Sequence, residues 1–231
     1  MRLATHVTGD GDRTALLVHG AMSDHGTWHA LEADLVDRGY QVIGVDLRGH
    51  GRSPRGGYSV AALGQDLVDT LPTGADLAVG HSMGGLALSL AVERLRPARA
   101  VYSDPAFRFS GASTAALGAM RRMVAQATAE SVRAMNPRWS DADVEAELAG
   151  FAAFDPDFFD VVTEASAKDR VPTTAAVPSL VQLADPSFTV DEDGARLLAE
   201  RGFTVRTVAG AGHCIHRDDY PAFLASLEGW L

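Results

Sequence analysis

Strand-like and helix-like segments alternate along this chain from its first residues, and that order restricts it to one class of architecture. Leu3 to Thr8 reads as a short first strand, with Gly9 to Asp12 as a turn after it. Thr14-Ala15-Leu16-Leu17-Val18 is a continuous apolar run, the pattern of a strand covered on both faces. A helical pattern over Trp28 to Arg38, ended by Gly39, leads to a strand at Tyr40 to Val45. The series continues with a helix at Val60 to Leu71, a strand at Ala75 to Val79, an apolar helix from Leu86, and a strand at Ala98 to Tyr102. It resumes late in the chain with a strand at Pro178 to Ala184, a helix at Asp191 to Arg201, a strand at Phe203 to Val208 and a helix at Tyr220 to Leu231. This predicts an α/β fold with a mostly parallel central sheet and helices on both faces. The 231 residues are enough for one large domain.

Between Phe107 and Ala176 the alternation stops and the periodicity is helical throughout, with breaks at Asn136-Pro137 and Asp155-Pro156. The expected organisation is therefore a core made of residues 1–106 and 177–231. A helical lid, residues 107–176, is inserted after the strand that ends near Ser103.

Gly80-His81-Ser82-Met83-Gly84 places one serine between two glycines at a strand-to-helix junction. A turn that sharp strains the serine backbone, and the glycines remove Cβ atoms that would clash as strand and helix approach. The Ser82 hydroxyl then stands exposed beyond the sheet, with the Met83 amide directed at whatever it attacks. Serine needs a base within hydrogen-bond reach, itself oriented by a carboxylate. His213, in the glycine-rich stretch Ala209-Gly210-Ala211-Gly212-His213 after the last strand, is the candidate base. His19, Asp46, Asp104 and Asp185 also fall at strand carboxyl ends, where open α/β sheets collect reactive groups.

The net charge of −10, with no basic cluster, argues against nucleic acid and anionic membranes as partners. The N-terminus lacks the apolar core of a signal peptide, and the single cysteine, Cys214, excludes an internal disulfide or a thiol-rich metal site. A cytoplasmic protein with no metal and no organic cofactor is expected. Nothing in the sequence identifies an oligomerisation patch.

His19-Gly20, the run Asp46 to Ser53, Gly80 to Gly85 and Gly212-His213 occur together in an order and spacing that resembles the α/β-hydrolase superfamily, in its lidded serine branch. The resemblance covers nearly the whole chain. It implies Ser82 as nucleophile, His213 as base and the backbone N–H groups of Ala21 and Met83 as the oxyanion hole. Serine at the elbow argues against the epoxide hydrolases and dehalogenases of this superfamily, which attack with a carboxylate. The resemblance leaves His19 and the Asp46 to Ser53 run structural roles. His216 and Asp218-Asp219 are read as capping the final helix.

The acid has two candidates. Most members of the superfamily carry it after the strand that follows the lid, where the expected slot holds Ser187 and Asp185 stands two residues early. A minority carry it on the strand before the lid, where this chain has Ser103-Asp104-Pro105. The chain also resembles bacterial hydrolases that combine such an aspartate-proline with a Gly-His-x-x-His end, here Gly212 to His216, which favours Asp104 over Asp185.

Aromatic and methionine residues of the lid predict an apolar pocket, with Phe107, Met123 and Trp139 as wall candidates and Trp28 as a fourth from the core. The expected activity is hydrolysis of a small, largely apolar carboxylic ester, lactone or thioester through an acyl-serine. Carbon–carbon bond hydrolysis, lyase or perhydrolase chemistry would use the same residues, and a non-catalytic ligand receptor would need none of them intact.

Overall fold

The computed structural model describes residues 1–109 and 113–231. Seven strands form one sheet: β1 (Thr5–Thr8), β2 (Arg13–Val18), β3 (Tyr40–Val45), β4 (Leu77–His81), β5 (Ala100–Ser103), β6 (Ser179–Leu183) and β7 (Thr204–Thr207). Their spatial order is β1-β3-β2-β4-β5-β6-β7. Only β1 runs antiparallel, against β3, and the other pairings are parallel. The four apolar residues Ala15 to Val18 at the sheet centre are fully buried, as the continuous apolar run requires.

Helices cover both faces. On one side α2 (Val60–Thr70) and α3 (Met83–Leu95) pack Leu63, Leu67, Leu86 and Leu88 onto the sheet. On the other, α1 (His29–Asp37) and the C-terminal α10 (Tyr220–Ser226) contribute Leu31, Leu35 and Phe223. The sequence merges two pieces near Trp28, because a tight helical turn, His25–Trp28, is capped by the Asp24 side chain before α1 starts. The final helix is shorter than its apolar pattern suggests and ends at Ser226.

Between β5 and β6 the chain forms α4 (Thr114–Gln126), α5 (Ala129–Met135), α6 (Asp141–Ala152) and α7 (Phe159–Ser166). Serine and threonine side chains cap the first three, and α5 and α6 carry reciprocal capping boxes. This insert is fastened to the core at defined points. Tyr58 Oη donates to Asp155 Oδ2 at 2.6 Å, and the Val60 N–H, at the open start of α2, donates to Glu164 Oε2 at 2.8 Å. After β6 come α8 (Glu192–Glu200), β7, the short α9 (Ile215–Asp218) and α10. Among the described residues, no helix is long and apolar enough to cross a membrane.

The junction of β4 and α3 is set by glycine. A Cβ on Gly84 would lie 2.2 Å from the His19 carbonyl oxygen and 2.4 Å from that of Val18, both backbone atoms of the neighbouring strand end. Gly84→Ala is expected to push α3 away from the sheet and cost about 1–3 kcal/mol, as overpacking does. Urea denaturation should show a lower midpoint at unchanged slope, and an unaltered midpoint would refute the steric account.

Candidate active site

Ser82 sits at the apex between β4 and α3 with φ 51° and ψ −118°, outside the regions ordinary residues adopt. Its backbone is held on both sides: its N–H donates to Ser103 O at 3.0 Å, and its carbonyl accepts from Ala106 N at 2.9 Å. The strain is thus imposed by β5 and the segment after it.

His213 follows β7 on a loop. Its Nε2 lies 3.0 Å from Ser82 Oγ and its Nδ1 lies 2.6 Å from Asp104 Oδ2. With the Nδ1 proton donated to the carboxylate, Nε2 is left to accept from the serine hydroxyl. Asp104 is fully buried at the end of β5, itself at φ 40°. Its N–H donates to Gln182 O, and its Oδ1 accepts from Ala184 N–H at 3.1 Å. Burial alone would raise the Asp104 pKa, but the hydrogen bond and charge of His213 and the Ala184 amide outweigh it, and the carboxyl titrates below its ordinary value.

Asp185 lies elsewhere. It is exposed, and its Oδ2 accepts from Gly210 N–H at 3.1 Å, so that it braces the loop leading to His213 without touching the imidazole. Ser187, in the slot where most of the superfamily carries the acid, instead closes a turn by accepting from the Thr189 and Val190 amides.

The neighbouring histidines serve as scaffold. His81 Nε2 donates to the His213 carbonyl at 2.9 Å, and burial, followed by the proximity of His213, lowers its pKa to about 3. His19 accepts from Leu47 N–H at 2.9 Å and donates to the Gly20 carbonyl at 2.6 Å. His50 accepts from Met22 N–H at 3.0 Å, which shapes the loop after β2. Asp46 receives hydrogen bonds from His25 and the Arg52 amide; although burial opposes ionisation, they hold it well below the usual carboxylate range. Asp219 caps α10 through the Ala222 amide, whereas His216 is buried against the Trp28 ring and Asp218 accepts from Trp139 Nε1. Of the expected helix caps, Asp219 alone is one.

Above Ser82 and His213 is a cavity of about 160 Å³, to which Ala21 and Met83 also contribute. Met83 is the first residue of α3, where a backbone N–H has no acceptor within its own helix. Met22, Phe109, Met120, Phe159, Val162 and Phe188 form the apolar walls. None of the four residues expected as wall lines it. Trp28 and Phe107 are almost fully buried in the two cores beside the sheet, Met123 packs inside the insert, and Trp139 stacks under the Arg217 guanidinium. The insert turns different faces of its helices inward. Phe188 had no periodic signal to mark it, since it stands alone on the loop after β6; its ring lies 4.5 Å from that of His213. Burial pushes the thiol of Cys214, another lining residue, well above its ordinary pKa, so it stays protonated. Among the described residues, no group of histidine, cysteine or carboxylate side chains is arranged to hold a metal ion.

Known proteins share this architecture. The esterase YbfF of Escherichia coli is 27% identical over 234 residues, covering 94% of this chain and 92% of its own. A deformylase structure from Pseudomonas putida superposes with a TM-score of 0.76 at 22% identity, over 98% of this chain and 96% of that one. The esterase EaEST from Exiguobacterium antarcticum gives 0.78 at 16% identity, over 99% and 94%. At those identities the structural matches speak for the fold. A sequence model of the alpha/beta hydrolase family matches residues 15–227, and with nearly its whole length so matched the chain belongs to that family.

Proposed function

We propose that the protein is a serine hydrolase that cleaves a small carboxylic ester, lactone or thioester through an acyl-serine intermediate. The observation that carries this reading is the hydrogen-bonded series Ser82 Oγ, His213 Nε2, His213 Nδ1 and Asp104 Oδ2, at 3.0 and 2.6 Å, under an apolar cavity. His213 takes the Ser82 proton as Oγ attacks the carbonyl carbon, and Asp104 steadies the imidazolium that forms. The backbone N–H groups of Ala21 and Met83 receive the developing oxyanion, a contribution of several kcal/mol in acyl transfer. His213 then protonates the departing alkoxide or thiolate, and next draws a proton from water to release the acid. The insert helices act as the lid that keeps this chemistry dry. The cavity is close in size to the ~150 Å³ cavity that accommodates benzene, which favours a short acyl group.

The esterase relative YbfF supports the ester reading. Amide-type cleavage, the activity named for a deformylase that shares this fold, is the second reading. A fluorophosphonate probe is expected to label the wild-type protein at one site and to leave Ser82→Ala unlabelled. An unlabelled wild type, or equal labelling of both proteins, would overturn the assignment of the nucleophile.

A further inference from the structure

One carboxylate–guanidinium pair stands in a mostly apolar cavity wall, which also carries the hydroxyls of Ser23, Thr27 and Thr189. Glu147, on α6 of the insert, and Arg217, on α9 of the core, both line it, with Arg217 Nη1 2.6 Å from Glu147 Oε2. The Arg217 side chain is only 2% exposed and its guanidinium stacks on Trp139 at 4.6 Å. Asp143 Oδ1 lies 4.0 Å from its Nε, and among the described residues neither Nε nor Nη2 finds a hydrogen-bond acceptor. Arg217 therefore serves Glu147: it holds one carboxylate oxygen and balances its charge. The other oxygen, Oε1, takes no hydrogen bond from any described residue, and the Glu147 side chain keeps 19% of its surface accessible.

A buried ion pair contributes little to stability, because desolvation offsets most of its Coulombic gain. Stability alone gives no reason to place one in the wall of a hydrophobic pocket. What the pair supplies is a fixed, strong acceptor whose charge the guanidinium offsets, while Asp143, at the edge of ion-pair range, is held by His29 and Ser140. We infer that Glu147 Oε1 is a specificity element, receiving an uncharged O–H or N–H donor carried by the acyl portion of the substrate. A carboxylate at that position meets the acid itself, and an ammonium meets the compensating guanidinium. This inference rests on the reading of Ser82 and the cavity as the acyl site.

Binding in the Ser82→Ala protein, where no turnover occurs, tests it separately from the serine chemistry. The probes are methyl 3-hydroxypropanoate and methyl 6-hydroxyhexanoate, each against the ester with methyl in place of hydroxyl, methyl butanoate and methyl heptanoate. Calorimetry is expected to show that at least one hydroxy ester binds roughly ten- to hundredfold more tightly than its partner, the range for a hydrogen bond to a charged group. Adding Glu147→Leu with Arg217→Met removes both charges together, which proteins commonly tolerate, and should erase or invert that ratio. Glu147→Gln, which keeps an acceptor oxygen, should retain part of it. Equal affinities within both ester pairs in Ser82→Ala would overturn the inference, and so would a ratio that survives the Leu/Met replacement.

Discussion

Asp104→Asn is expected to lower kcat on p-nitrophenyl acetate by about 10⁴, while Asp185→Asn stays within a fewfold of wild type. The replacement is nearly isosteric, and the backbone at φ 40° tolerates asparagine better than most residues. One side-chain oxygen can still accept from Ala184 N–H. The loss is chemical. An amide NH₂ facing His213 Nδ1 makes that nitrogen an acceptor, so the ring proton moves to Nε2, where it can no longer take a proton from Ser82. Fluorophosphonate labelling should slow in step with kcat, and thermal unfolding should shift little. Steady-state kinetics of the two variants decide the matter: a crippled Asp185→Asn beside a near-normal Asp104→Asn reverses the assignment.

Acidification below neutrality is expected to destabilise the fold steeply, well before the carboxylates titrate. His19, His50, His81 and His216 are buried, and burial lowers all four pKa values, that of His81 to about 3. The unfolded chain takes up these protons near pH 6.5, whereas the native state does not. The unfolded state thus binds more protons, and stability falls as pH drops through that value. Each histidine contributes about 1 kcal/mol per pH unit between roughly 6.5 and the lowered native value. His25 acts in the opposite sense. Its hydrogen bond to Asp46 raises its pKa, so its contribution is fully present below the unfolded value and is lost as pH rises through the folded one. One such group offsets part of four. Below about pH 4, loss of the depressed carboxylates Asp46, Asp104 and Asp143 adds to the effect. Urea titrations at pH 7.5, 6.5 and 5.5 should give steadily lower unfolding free energies, and a flat profile would show that these rings are not held neutral.

Several of these features can be read in the sequence because local chemistry dictates them. The order of strands follows from apolar runs such as Ala15 to Val18, and the strained serine from the glycines that make room for it. Ser82 and His213 belong to motifs whose residue types have few other uses. The partner of His213 is a question of register: Asp104 and Asp185 both end strands, and only the pairing of β5 with β6 places Asp104 under the ring and Asp185 against Gly210. The pocket wall is harder still. Periodicity shows that a helix has an apolar face, but not whether that face meets the sheet, another helix or the cavity. Phe107 and Phe109 stand two residues apart, one in the core and one in the wall. Glu147 and Arg217, 70 residues apart, carry no sequence signal as a pair, and only the packing of α6 against α9 brings them together.

The insert leaves the sheet at the end of β5 and returns at the start of β6, and these strands are direct neighbours in the sheet. Its two attachment points are therefore separated by roughly 10–15 Å, one strand spacing sideways and a few residues lengthwise. They stay there whatever joins them. Because closure entropy rises only about 0.6 kcal/mol for each doubling of loop length, its connecting loops can be lengthened at small cost, whereas exchanging the whole segment must also replace the core contacts of Phe158, Phe159 and Val161 and the partner of Arg217. The Ser82 turn, Asp104 and His213 all lie outside it. The cavity ceiling thus hangs from two neighbouring strand ends, and a transplanted insert would have to bring its own apolar core face and a carboxylate for Arg217 along with any new cavity wall.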